Sequence, residues 1–190
     1  MRSSIVLGLL VGLFSTPLLA NAQENPSRLE LYGGYYYVRF NINANLPGVP
    51  PSQTFNANGG GAQLEYSANR WLGLVGDLAG YGATSTANGA LVGGALSYLI
   101  GPRVNFRLRK ATPFVQTLFG GIATTTGIAR SGDQNNFAMT AGGGIDLKAT
   151  TYVSVRPVQA EYFMMRAPNG LNDRENNFRI GAGVVLRFRK

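Results

Sequence analysis

From residue 28 to the C-terminus the chain alternates apolar and polar side chains with a period of two, in eight stretches separated by segments rich in Asn, Gly, Pro and Thr. That periodicity makes strands the regular element available to it. The stretches lie near residues 28–40, 58–68, 71–82, 90–107, 113–123, 136–148, 151–165 and 177–189, and no long window carries a helical period instead. No later segment approaches the roughly 18 uninterrupted apolar residues of a transmembrane helix. A membrane crossing by this part of the chain would therefore use strands.

The connections alternate in length. Short turns fall at Asn69-Arg70, Leu108 to Thr112 and Ala149-Thr150, whereas longer segments run over 41–57, 83–89, 124–135 and 166–176. Short turns at one end and longer loops at the other are the pattern of a meander barrel that spans a membrane. The face assignment separates this from a water-soluble barrel. In the fourth stretch Leu96, Tyr98, Ile100, Val104 and Phe106 oppose Ser97, Gly101, Arg103 and Asn105; in the last, Ile180, Ala182, Val184, Leu186 and Phe188 oppose Arg179, Gly181, Gly183 and Arg187. A soluble barrel would carry Lys-rich charge outside, but the lysines here are Lys110, Lys148 and Lys190, at expected turns or the terminus. The expected fold is all-β: an eight-stranded antiparallel up-and-down transmembrane β-barrel with short periplasmic turns and longer extracellular loops.

At the N-terminus, Arg2, the apolar run from Ile5 to Phe14, Pro17 and the small-residue pattern Ala20-Asn21-Ala22 read as a secretory signal peptide cleaved after Ala22. Residues 1–22 are then a leader and 23–190 a single barrel domain. The mature charge balance is 16 Lys and Arg against 9 Asp and Glu. These charges do not run together in a stripe, and export directs the chain away from nucleic acid, so no nucleic-acid partner is expected. The chain has no cysteine, which removes disulfides and thiolate metal sites, and no histidine, which removes the commonest general base and metal ligand.

With the apolar faces outward, Glu30, Glu65, Asp77, Asp146 and Glu161 point into the lumen together with Arg103, Arg156, Arg179 and Arg187. An isolated buried charge costs several kcal/mol even after relaxation. These nine residues are therefore expected to form a structural ion-pair network that plugs the lumen, with Arg favoured for its bidentate geometry. Arg156 has the opposite parity to Gln159 and Glu161, and a β-bulge at Pro157 would bring all three inward. Tyr35, Tyr37, Phe40, Trp71, Tyr81, Phe106, Phe114, Tyr152 and Tyr162 are expected near interfacial girdles. The basic residues Arg70, Arg107, Arg109, Lys110, Lys148, Arg189 and Lys190 gather at the turn end, where anionic headgroups would lie. The runs Gly59-Gly60-Gly61 and Gly142-Gly143-Gly144 lack a following helix and a P-loop Lys, and read as close packing within strands. The polar loop 169–177, with Asp173 and Glu175, reads as a solvated surface loop.

The segment Leu29-Glu30-Leu31-Tyr32-Gly33-Gly34-Tyr35-Tyr36, the Gly101-Pro102-Arg103-Val104 segment with Thr112-Pro113-Phe114 after it, and the C-terminal strand resemble the outer-membrane protein β-barrel domain family, the small OmpA- and OmpX-like barrels. The resemblance covers essentially all of the chain after the leader. It implies an outer membrane of the Gram-negative type and insertion by the barrel-assembly machinery, for which Gly183, Leu186 and Phe188 match an assembly signal. The signal departs from the family pattern in ending on Arg189-Lys190. Barrels of this size that act as deacylases, palmitoyltransferases or proteases use a catalytic histidine, which this sequence lacks.

The expectation is a non-enzymatic structural or surface-interaction protein, monomeric, without metal or cofactor, and surrounded by outer-membrane lipid. Its extracellular loops would meet a surface ligand. The alternative is a narrow, porin-like path for water or small solutes. A lipid-binding soluble periplasmic barrel would require the opposite face assignment.

Overall fold

The computed structural model describes residues 28–43, 52–83, 93–126, 134–166 and 174–188, and every regular element among them is a strand. In chain order these are β1 (Leu29–Asn43), β2 (Ser52–Ser67), β3 (Leu72–Ala83), β4 (Gly93–Asn105), β5 (Ala111–Thr126), β6 (Gln134–Lys148), β7 (Val153–Met165) and β8 (Glu175–Phe188). Each pairs antiparallel with its sequence neighbours, and β8 pairs with β1 to close the barrel. The expected leader and the longer connections lie outside the described residues.

Strand stagger sets the size of the interior. A walk from Leu186 through paired residues Leu31, Leu64, Gly76, Ile100, Phe119, Met139 and Met164 returns to β8 at Asn176, ten residues above its start. Eight strands with this stagger enclose a space that side chains can fill.

Local chemistry explains the tight turns. Asn69 accepts the backbone N–H groups of Trp71 and Leu72 at 3.0 and 2.8 Å, and Thr150 does the same for Tyr152 and Val153 at 3.3 and 3.0 Å. Short polar side chains that bond the backbone two and three residues on are turn formers. Between β4 and β5 the ladder runs past the strand ends, with Phe106 N–H donating to Pro113 and Leu108 N–H to Ala111.

The β2 boundary differs from its sequence reading. It begins at Ser52, six residues before the expected start, because Asn43 to Val38 on β1 pair with Ser52 to Ala57. The added stretch is mostly polar, so apolar alternation gives it no signature, whereas hairpin pairing needs only backbone.

The bulge in β7 is present. Arg156 pairs with Gly183 and Gln159 with Gly181, leaving Pro157 and Val158 opposite one residue of β8. Pro157 lacks the donor a regular ladder would use there. The extra residue shifts parity, so Arg156, Gln159 and Glu161 all lie inside the barrel with no exposed surface.

Candidate functional site in the lumen and on the outer wall

The nine charged residues expected inside are all buried, and seven of them are joined in two layers of contacts. In the lower layer, nearer the short turns, Arg103 meets Glu65 at 2.8 Å, and Asn105 donates to the other Glu65 oxygen at 2.5 Å. Arg156 holds Asp146 through two parallel bonds, Nε to Oδ1 at 2.6 Å and Nη2 to Oδ2 at 3.0 Å. In the upper layer Arg179 sits between two carboxylates, reaching Glu161 at 2.6 Å and Asp77 at 3.1 Å. Bidentate guanidinium–carboxylate geometry gives charge neutralisation and orientation together.

Two amides join the layers. Gln63 Oε1 accepts from Arg103 at 2.5 Å and from Arg156 at 2.7 Å, while its Nε2 donates to Asp77 at 2.8 Å. Gln116 accepts from Arg103 Nε at 2.8 Å and donates to Glu161 at 2.6 Å. The amides hold two like-charged guanidiniums and two carboxylates in one array. An array whose members satisfy each other escapes much of the penalty of an isolated buried charge.

The guanidinium faces are also covered. Arg103 and Arg156 stack on the ring of Phe114, at 4.2 and 4.4 Å from its centroid, and Arg156 also covers Tyr32 at 4.4 Å. Arg179 lies 4.6 Å from the centre of the Tyr36 ring. Desolvated cation–π contacts of this kind contribute about 2 kcal/mol or more. Gly144 makes room for Phe114, since a Cβ there would stand 2.8 Å from the ring.

The sequence reading misplaced several residues. Arg107 does not extend toward headgroups: it folds over the lower mouth, meeting Glu30 at 2.8 Å and donating to Ser67 at 2.9 Å. Arg187 approaches the same Glu30 oxygen at 3.6 Å. Arg107 thus adds a fifth base to the five acids of the network. Its parity with Arg103 and Asn105 carried the signal, and the ladder continuing beyond β4 explains why that parity holds. Phe40, Tyr81 and Phe114, expected in the girdles, are buried inside. They share parity with Glu30, Asp77 and Gln116 respectively, so general aromatic preference was the weaker guide.

Phe40 and Tyr81 join Phe163 above the charged layers, their ring centroids 6.3 to 6.4 Å apart in all three pairings. Val38, Ile122 and Met165 belong to the same buried cluster. Glu175 lies buried at the start of β8 rather than in a solvated loop, and its Oε2 has no hydrogen-bond partner among the described residues.

The outer wall has the opposite chemistry. Leu64, Leu74, Leu78, Ile100, Val115 and Val184 are exposed along the strands. Trp71, Phe106 and Tyr152 are exposed near the short turns, while Tyr35 and Tyr162 lie toward the other end. Three outward tyrosines each donate to an asparagine further up the wall: Tyr35 to Asn58 at 2.5 Å, Tyr98 to Asn135 at 3.4 Å, and Tyr162 to Asn176. Rings in an apolar band with hydroxyls turned to a polar edge suit a membrane–water boundary. Of the assembly-signal residues, Leu186 and Phe188 are exposed on this face. Gly183 packs against β1, where a Cβ would approach the Gly33 carbonyl at 2.3 Å.

A closed eight-stranded barrel with buried charges inside and an apolar exterior belongs to the transmembrane barrel class. Neisserial surface protein A has a similar structure, with a TM-score of 0.64 at 13% identity, covering 87% of this chain and 100% of that one. Outer membrane protein OprG from Pseudomonas aeruginosa gives 0.56 at 11% identity, with coverage of 88% and 98%. The N-terminal β-barrel domain of OprF from the same organism gives 0.52 at 15% identity, with coverage of 87% and 100%. No family model and no curated protein matches the sequence. The chain therefore has the fold of the small eight-stranded outer-membrane barrels.

Proposed function

We propose that this chain is a non-enzymatic integral protein of a Gram-negative-type outer membrane, whose rigid barrel carries surface-exposed loops and whose lumen is closed. The carrying observation is the inversion of burial: Arg103, Arg156 and Arg179 are among the most deeply enclosed side chains, while the wall presents Leu, Ile, Val and aromatic residues. In water that exterior would expose a continuous apolar belt, far larger than the patches soluble monomers tolerate. In a bilayer it is the solvated face.

On this reading residues 1–22 direct export and are removed. Gly183, Leu186 and Phe188 mark the strand that closes the barrel for the assembly machinery, and recognition falls to the connections between β1 and β2, β3 and β4, β5 and β6, and β7 and β8. The ion pairs and the Phe40–Tyr81–Phe163 cluster support a closed lumen over a narrow pore. The test combines membrane fractionation with gel mobility of the detergent-folded protein before and after boiling. Recovery from outer membranes with heat-modifiable migration supports the reading. A single mobility and a soluble periplasmic protein would overturn it.

A further inference from the structure

We infer that the outer wall between β4, β5 and β6 holds one anionic phospholipid, its acyl chain in a groove beside Pro102 and its headgroup on Arg109 and Lys110. This rests on the reading that the barrel spans a membrane. The groove is shallow and open to the outside, lined by Pro102, Val104, Val115, Gln116, Thr117 and Gly142, with about 340 Å³ of space over it. It coincides with a lapse in the β4–β5 ladder, where no pairing joins Gly101 and Pro102 to β5. Pro102 has no N–H to give, and Gly101 lies close to β5, since a Cβ there would meet the Thr117 carbonyl at 2.1 Å. On the lipid-facing side Thr117 pairs with Ala141, and Val115 with Gly143, so β6 presents small residues beside the groove.

The distribution of charge selects the occupant. Every acidic side chain among the described residues is buried: Glu30, Glu65, Asp77, Asp146, Glu161 and Glu175. At the short-turn end the exposed charges are Arg28, Arg70, Arg109 and Lys110, with Lys148 half-buried. Arg109 and Lys110 form the tip of the hairpin whose strands carry Val104 and Val115, and Lys148 N–H donates to the Lys110 carbonyl at 2.9 Å. The tip lies five residues beyond the groove, roughly 16 Å along the strand at about 3.3 Å per residue. One lipid whose upper acyl segment lies in the groove can therefore place its phosphate at the tip, where basic residues attract anionic headgroups.

The test is native mass spectrometry of the full barrel released from micelles containing phosphatidylglycerol or phosphatidylcholine. Wild type should retain one phosphatidylglycerol with roughly thirtyfold preference, the scale two basic residues supply near an anionic surface. Arg109→Gln/Lys110→Gln should lose the preference, and Thr117→Trp, which fills the groove, should lose retention of either lipid. Arg39→Gln/Arg166→Gln removes the same charge at the opposite end and should behave as wild type. Equal retention of the two lipids by wild type, preference surviving Thr117→Trp, or equal loss in the opposite-end variant would each overturn the site. Failure of the wild type to insert into vesicles, measured separately, would instead overturn the membrane reading on which it rests.

Discussion

Glu65 on β2 reaches Arg103 on β4 across the intervening strand, and it passes over Gly73, where a Cβ would stand 2.5 Å from the carboxylate. The ion pair therefore depends on a missing side chain in β3. Glu65→Gln or Arg103→Met should each cost about 3 to 5 kcal/mol, because each leaves a buried charge without its partner. The double variant should cost clearly less than the sum of the two. Gly73→Ala should cost about 1 to 3 kcal/mol by crowding the carboxylate. Urea unfolding in lipid vesicles, followed by the folded-band mobility, measures all four. Additive single costs would show that the pair is not coupled.

The bulge at Pro157 makes a different prediction, about parity rather than energy. Pro157→Ala keeps the residue count, so Arg156 still faces Asp146 and the folded yield should stay near wild type. Deleting Pro157 sets β7 back by one position and turns Arg156 toward lipid or Gln159 and Glu161 out of the lumen. Either result strands charges, so the folded band should be largely lost. Equal yields from the two variants would mean that the bulge does not set the register.

This contrast shows what the sequence could carry. Alternation assigns a face wherever a strand is regular, so the lumenal acids and bases were legible, and the parity conflict in β7 located the bulge. Arg107 lies inside the expected stretch 90–107 with the parity of Arg103, but its place next to the turn groups it with the basic residues there; the Phe106–Pro113 and Leu108–Ala111 hydrogen bonds carry the ladder past it and hold it inward. The bridging amides Gln63 and Gln116 carry no formal charge, so charge compensation gives them no signature in the sequence. The interior rings of Tyr36 and Phe114 depend on space left by glycines on neighbouring strands. That complementarity lies between residues far apart in sequence.

The outer wall should tolerate charge according to depth. Ile100 is 56% exposed near the middle of the band and Leu108 51% exposed in the turn below it. Ile100→Lys should destabilise the barrel by about 2 to 4 kcal/mol, and Leu108→Lys by about 0 to 1 kcal/mol. Vesicle-based unfolding separates them. Equal small effects would mean that water, not lipid, meets this face.

On the closed-lumen reading, two charged layers and the rings above them each stand across the path, which gives the conductance prediction its form. Arg179 bridges Asp77 and Glu161, and the Phe40, Tyr81 and Phe163 rings lie above it. Wild-type protein in planar bilayers should show no discrete current steps. Arg179→Ala/Asp77→Ala removes one blocked layer and leaves the rings, while Phe163→Ala thins the rings and leaves the ion pairs; each should remain silent. The combined variant still leaves the lower layer of Arg103, Glu65, Arg156 and Asp146 in place and should also stay silent; small steps should appear only when Arg103→Ala/Glu65→Ala is added to it, read on protein whose folded band persists. Steps in the wild type would instead favour the narrow-pore alternative, with these residues lining a path.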